Sequence, residues 1–248
     1  MNNEAILLLG LSILVLTSLL IFRSRKGPSP SVRPLPAFQD LQAETGYAAE
    51  SGGAIHVALG SGKLYGEDAI TSLAGLQVVE SLATAAAYNT PPIVTVGDPT
   101  LLPIAQDILR RAYERNGIAE LYNPDNVRFI APSPVAYAAG AASVVATETE
   151  NVTANMMAGA FGAEVSLIAD AGDRQGLPQM AAAANTAAIG ALYPITDRLA
   201  IGEELYAAGA EMTEERRYLV SLVAQDILRV ILVLAILGSA FAAFLSNL

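Results

Sequence analysis

The stretch Gly60-Ser61-Gly62-Lys63-Leu64-Tyr65-Gly66 carries the densest chemical potential in this chain. It follows an apolar run, Ala54 to Leu59, and opens a long Ala-rich segment. At such a strand-to-helix turn, glycine N–H groups and the helix N-terminus attract anions, which is how α/β folds hold phosphates. Gly60, Ser61, Gly62, Lys63 and Gly66 are therefore candidate residues for binding a nucleotide or another small molecule. The pattern departs from both phosphate motifs. It reads G-x-G-x-x-x-G, not G-x-G-x-x-G, and Leu64 follows Lys63 where a P-loop has Ser or Thr. Glu67 and Asp68 would oppose a phosphate there, so a tight structural turn is the competing reading.

Asp98 joins the candidates by position. With Gly97 it ends a second apolar run, and a crevice at the carboxyl ends of the strands would also gather Ser133, Asp170, Gly172 and Asp173. Carboxylates so placed could hold a divalent cation through oxygen. Their spacing matches no calcium loop, and helix caps and solvated turns are the plainer reading, so no metal site and no cofactor is assigned. His56 is the single histidine and lies inside an apolar run, as a satisfied core residue would. The chain has no cysteine, which excludes disulfides, thiolate nucleophiles, Cys-ligated zinc and iron–sulfur clusters. A Ser-His-Asp triad could use only His56 as its base. This inventory argues against an enzyme and assigns no catalytic residue. Lys63, the only lysine between the basic flanks, reads by default as a surface residue, and the sequon Asn151-Val152-Thr153 has no meaning in a cytoplasmic domain.

The elements that must position these residues alternate. Candidate strands run from Ala54 to Leu59, Pro92 to Val96, Val127 to Ala131, Glu164 to Ala169 and Ala187 to Leu192. Candidate helices run from Gly66 to Tyr88, Leu101 to Asn116, Val135 to Ala146, and from an Asp197 cap to Ala208. In the second helix Leu101, Ile104, Ala105, Ile108, Leu109 and Ala112 share one face, while the charged residues keep largely to the other. Alternation of this kind predicts an α/β domain with a mostly parallel sheet of about five strands covered by Ala-rich helices.

Both ends of the chain read as membrane-spanning. Ala5 to Phe22 has no charged residue; it would cover roughly 27 Å of the roughly 30 Å hydrocarbon core. Ile227 to Leu245 contains only Arg229, near its start, from where the side chain can snorkel. Arg23, Arg25, Lys26 and Arg33 follow the first run; Arg216, Arg217 and Arg229 precede or open the second. This places the middle of the chain in the cytoplasm and both termini outside, in a multi-pass protein of the cell membrane. The expected organisation is an external N-terminus (1–4), a span (5–22), a basic, Pro-rich linker (23–50) with the spacer Gly27 to Pro36, a domain (51–212), a long helix (213–245) whose span starts near 227, and an external C-terminus (246–248). Neither run has an acid or histidine in its apolar core to relay protons. A pore of many hairpins would have only the thin polar stripe of Ser12, Thr17 and Ser18.

Charge excludes one partner class. Between Pro34 and Glu215 there are 22 acidic and 7 basic residues, a balance of −15, so nucleic acid is not an expected partner. The Ala-rich runs Tyr137 to Ala146, Met156 to Gly162 and Met180 to Ala191 read as helices with too few charges to be fully solvated, so a compact core or copies of the protein must cover some of them.

Gly97-Asp98-Pro99, Phe161-Gly162-Ala163-Glu164, Ile201-Gly202-Glu203-Glu204-Leu205-Tyr206-Ala207-Ala208-Gly209-Ala210 and Gln225-Asp226 resemble a family of bacterial membrane proteins known by a domain-of-unknown-function label. The likeness covers about residues 50 to 230. It implies a bacterial membrane origin and a shared domain, and it brings no activity or site residue. The expectation is a membrane-anchored, non-catalytic assembly or scaffold protein in contact with the lipid bilayer, whose α/β domain associates with copies of itself or docks a partner protein. Ligand binding at the Gly60 turn is the alternative.

Overall fold

The computed structural model describes residues 34–86, 91–196, 198–213 and 226–238. Contacts divide the chain into two units, one of Pro34–Thr213 and one combining Met1–Arg33 with Glu214–Leu248. In the first unit the order is α1 (Pro36–Ser51), β1 (Ala54–Gly60), α2 (Ala69–Ala86), β2 (Ile93–Val96), α3 (Leu101–Arg115), β3 (Val127–Phe129), α4 (Pro134–Ala146), β4 (Val152–Ala160), α5 (Ser166–Arg174), β5 (Gln179–Ala183), α6 (Thr186–Leu192), β6 (Arg198–Ile201) and α7 (Ala208–Thr213).

The six strands form one sheet in the order β3-β2-β1-β4-β5-β6, every pair parallel. All seven residues of β1 are buried, which suits Ala-Ile-His-Val-Ala-Leu-Gly, an apolar run with no polar face to give to water. Chain growth steps from β1 to β2 to β3, then returns through α4 to pair β4 on the free side of β1. The first unit is thus doubly wound, with its reversal point between β1 and β4. On one face α4, α5 and α6 pack through Tyr137, Ala138, Ala141, Ile168, Ala169, Ala188 and Leu192 onto Ala58, Met157, Ala181 and Ala183. Helices α2 and α3 pack together, and α1 and α7 pack against α2.

Several sequence expectations are corrected. The segment from Pro36 is not linker but helix α1. Pro36 opens it, since a first-turn residue needs no N–H partner. Gly52, in the left-handed region at φ 66°, ends it. Its Ala37, Phe38, Leu41 and Ala48 are buried. Besides β6, two strands were missed: β4, whose Val-Thr-Ala-Asn-Met-Met-Ala-Gly-Ala reads as Ala-rich helix, and β5, Gln-Met-Ala-Ala-Ala. Both are buried on both faces, so neither shows the alternation by which a strand is recognised. Glu164 to Ala169 is instead a 3-10 turn leading into α5, with Glu164 Oε1 accepting from Gly162 N–H at 2.7 Å. Ala187 to Leu192 lies in α6, capped by Asn185 Oδ1 on Ala187 N–H at 2.8 Å. After Thr196 the chain forms β6 where a helix was expected. Gly202, at φ 64°, then turns it into the 3-10 segment Gly202–Ala207.

Among the described residues no helix is long and apolar enough to cross a membrane. The first expected span (5–22), the spacer up to residue 33, the termini (1–4 and 246–248), Asp197 and Tyr88 lie outside the described residues. Of the expected helix 213–245, Thr213 and residues 226–238 are described and are helical.

Candidate functional site

The reversal point sits at the end of β1, where the glycine-rich turn begins. Gly60 has φ +82°, and a side chain there would meet the carbonyl oxygen of Ala160. Ser61 N–H donates to that carbonyl at 3.2 Å, and Gly97 N–H donates to Gly60 O at 2.8 Å. Gly97 closes the third side: a Cβ there would lie 2.9 Å from Ser61 Cα and 3.0 Å from the Tyr137 ring. At Gly62 a Cβ would strike the Ala160 methyl and come within 2.8 Å of Ser72 Oγ. Glycine at 60, 62 and 97 therefore lets the loops after β1, β2 and β4 converge more closely than residues with Cβ atoms permit.

The structure brings Gly60, Ser61, Gly62 and Asp98 together at this convergence, but leaves Lys63 and Gly66 outside it. Gly66 is exposed with no atom near its missing Cβ. Lys63 is exposed, its ammonium 5.3 Å from the centre of the Tyr65 ring. Asp98 is 8% exposed, and its Oδ1 accepts from Thr100 N–H at 2.9 Å and from the Thr100 hydroxyl, binding up the turn before α3. Glu67 and Asp68 stand exposed at the start of α2. Ser72 is fully buried beneath Gly62, and its hydroxyl has no hydrogen-bond partner among the described residues. Asp170, Gly172 and Asp173 do not reach this end of the sheet. They lie within α5, where Asp170 pairs with Arg174 at 2.9 Å and Gly172 abuts Gln179. No group of three or more potential metal-ligating side chains occurs among the described residues.

Below the turn runs a polar chain that crosses the sheet. Gln179 and Asn155 are register partners on β5 and β4, as are Asn155 and His56 on β4 and β1. Asn155 Nδ2 donates to Gln179 Oε1 at 3.2 Å, and its Oδ1 accepts from His56 Nδ1–H at 2.8 Å. With the proton on Nδ1, Nε2 accepts from the Thr95 hydroxyl at 3.0 Å. The Tyr137 hydroxyl lies 3.1 Å from Thr95 Oγ1 and 3.1 Å from the Thr95 carbonyl, and accepts from Gly60 N–H at 3.1 Å. The last link ties the chain to the turn.

His56 and Tyr137 are both fully buried. Burial pulls the His56 pKa down to about 4; the hydrogen bond with Asn155 opposes this and Arg128 adds to it. Burial likewise pushes the Tyr137 hydroxyl up to about 12. Both side chains are neutral near pH 7 and are held in place by partners on β1, β2 and β4. The arrangement orients the Gly60 turn through the Tyr137 hydroxyl. Sequence reasoning placed His56 in a core, but missed Thr95, Tyr137, Asn155 and Gln179. Single polar residues inside apolar runs, as in Ile-Val-Thr-Val, were the available signal.

Away from this end a cavity of about 520 Å³ opens at the amino ends of β4 and β5. Ala43, Glu44 and Tyr47 of α1 line it, with Thr153, Leu177 and Pro178. Among the described residues that line it, Glu44 is the one charged group. The places where the chain joins this unit are adjacent, since Leu35 N–H donates to Glu211 Oε1 at 3.3 Å. Arg198 holds the start of α1 through Asp40 at 2.5 Å.

No curated protein and no solved structure matches this chain. The family described as "Domain of unknown function (DUF6754)" matches residues 1–247, nearly the whole length, and the chain belongs to that family.

Proposed function

We propose that this protein is a membrane-anchored, non-catalytic assembly protein, whose α/β domain lies in the cytoplasm and associates with copies of itself or docks a partner. One observation carries the reading. Helical residues 226–238 expose Val230, Ile231, Leu232, Val233, Leu234, Ile236 and Leu237, each between 46% and 65%. Successive helical residues are about 100° apart, so Val230 to Leu234 alone cover every side of the helix, and no polar face is left for water. At about 25 cal/mol per Å², so much exposed apolar surface requires lipid or protein around it. Arg229 and Asp226, 3.8 Å apart, mark the polar end of this stretch.

Two further observations agree. Adjacent points of chain entrance and exit suit two flanking segments that enter one membrane from the same side. Helix α4 has no charged residue, and Val135, Ala136, Ala139, Ser143 and Ala146 on it are exposed, a surface that close helix contact would cover. The test is the mass of the complex after gentle extraction from membrane, with co-purifying subunits identified. Cysteines placed at Asn3, Ser61 and Asn247 probe topology with a membrane-impermeant thiol reagent. An assembly larger than a dimer, with position 61 unlabelled in intact cells, is expected. Labelling of position 61 would reject the orientation, and a monomer under all conditions would reject the assembly.

The strand order favours a second reading, a small-molecule or nucleotide site at the Gly60 turn. The reversal point of a doubly wound sheet is where such ligands bind, and the unpartnered Ser72 hydroxyl lies just beneath it. Against it stand the contact that Gly60 and Gly62 make with Ala160 and the acids at 67 and 68. Thermal stabilisation by nucleotides that is lost in Lys63→Ala or Asp98→Asn would establish this reading; no stabilisation by any nucleotide removes it.

A further inference from the structure

We propose that the start of α2 is a docking surface for a basic, amphipathic segment of a partner protein. The inference rests on the assembly reading above and names a surface and a partner chemistry for it. Tyr65, Ile70 and Leu73 are 61%, 67% and 52% exposed. Ile70 and Leu73 lie three residues apart on one face of α2, while Ser72, Ala74 and Leu76 point inward and are buried. Ile70 and Leu73, about one helical turn apart, expose neighbouring apolar side chains, and Tyr65 adds an exposed ring in the loop that leads into the same helix.

This surface sits on a fixed backbone. Ser72 N–H donates to Asp68 O at 2.8 Å and Ala69 N–H to Gly66 O at 3.4 Å, while the Thr71 and Tyr206 hydroxyls meet at 3.3 Å. The patch therefore needs little ordering when a partner arrives, which favours binding. Ile104 and Val135, in the first turns of α3 and α4, and Phe129, at the end of β3, extend apolar exposure around the same end of the sheet.

Charge selects the occupant. The loops beside α2 carry Glu67, Asp68, Glu203 and Glu204, and among the described residues Lys63 is the one basic residue there. A second copy meeting this face with its own would bring like charges together, and an anionic lipid surface would be repelled. Leucine-like side chains flanked by Lys or Arg satisfy both the patch and the acids around it.

The test uses the full chain in mild detergent and two labelled helical peptides with the same leucine pattern, one carrying Lys and the other Glu at the polar positions. Fluorescence anisotropy should show saturable binding of the Lys peptide and none of the Glu peptide. Affinity should fall about tenfold or more in Ile70→Asp/Leu73→Asp and in Tyr65→Ser, and several-fold in Glu67→Gln/Asp68→Asn. Because these side chains are exposed, the variants should melt at the parent temperature. Failure of the Lys peptide to bind, or equal binding by parent and variants, would overturn the proposal. So would a loss of assembly mass in Ile70→Asp/Leu73→Asp with peptide binding unchanged, which would assign the patch to a second copy. Assembly mass is read separately, so loss of the docking surface and loss of the assembly reading are distinguishable.

Discussion

His56 shows how one buried side chain ties the domain's stability to pH. Its pKa falls from 6.5 to about 4 on folding, so above pH 6.5 neither state carries its proton and stability does not respond. Between 6.5 and 4 the unfolded chain binds a proton that the folded protein does not, and stability drops as the pH falls; below 4 the loss is complete. A shift of this size amounts to about 3 kcal/mol. Urea denaturation from pH 7.5 to 4 should show the parent losing about that much more than His56→Gln, because other acid-sensitive groups are common to both proteins. A parallel loss in the two would show that His56 is not held neutral. Glycine at the turn gives a second prediction. Gly60→Ala combines a strained φ with collision against the Ala160 carbonyl, and should cost about 2–4 kcal/mol. Gly66→Ala meets open space and should cost about 1 kcal/mol of backbone strain. Equal effects in denaturant titrations would refute the close approach of β1 and β4.

At the scale of elements, α1 makes the sharpest difference between expectation and structure. Pro34 and Pro36 suggest a linker, yet Pro36 opens a helix whose Phe38 and Leu41 are completely buried. Losing such side chains singly costs roughly 3–5 and 2–5 kcal/mol, comparable together with the whole stability of a domain, about 5–15 kcal/mol. Residues 34–213 should therefore unfold in one cooperative calorimetric transition, whereas residues 52–213 should show none. A cooperative transition in the shorter chain would mean that α1 is dispensable. Strands β4 and β5 escaped notice for a different reason. Alanine has little strand preference, but on a sheet covered on both faces its small side chain lets helices approach. Packing thus overrides the local tendency of Met-Ala-Gly-Ala and Met-Ala-Ala-Ala. By contrast α3, with apolar residues recurring at Leu101, Ala105, Leu109 and Ala112, was legible to within a residue because one of its faces meets water.

On the scale of the whole molecule, the charge of −15 between Pro34 and Glu215 opposes the assembly that the apolar surfaces favour. Repulsion between copies is screened over about 10 Å at 0.1 M salt and about 30 Å at 0.01 M. The extracted complex should therefore loosen as ionic strength is lowered, and mass measured in detergent across that range should fall. An increase at low salt would mean that opposite charges, not apolar contact, hold it together. The sequence by itself determined the α/β class, β1 to β3 and their intervening helices, the place of the Gly60 turn and the exclusion of thiol chemistry. Each of these follows from residue types or from a period visible along the chain. Only the tertiary structure decided that the sheet has six strands and reverses between β1 and β4. The same holds for Gly97, which packs on the turn with Asp98 beside it while Asp170 and Asp173 lie within α5, and for Thr95, Tyr137, Asn155, His56 and Gln179, joined in one buried network. These depend on which strands become neighbours, and that is set by burial on both faces of a sheet, where the local sequence has no polar side to announce it.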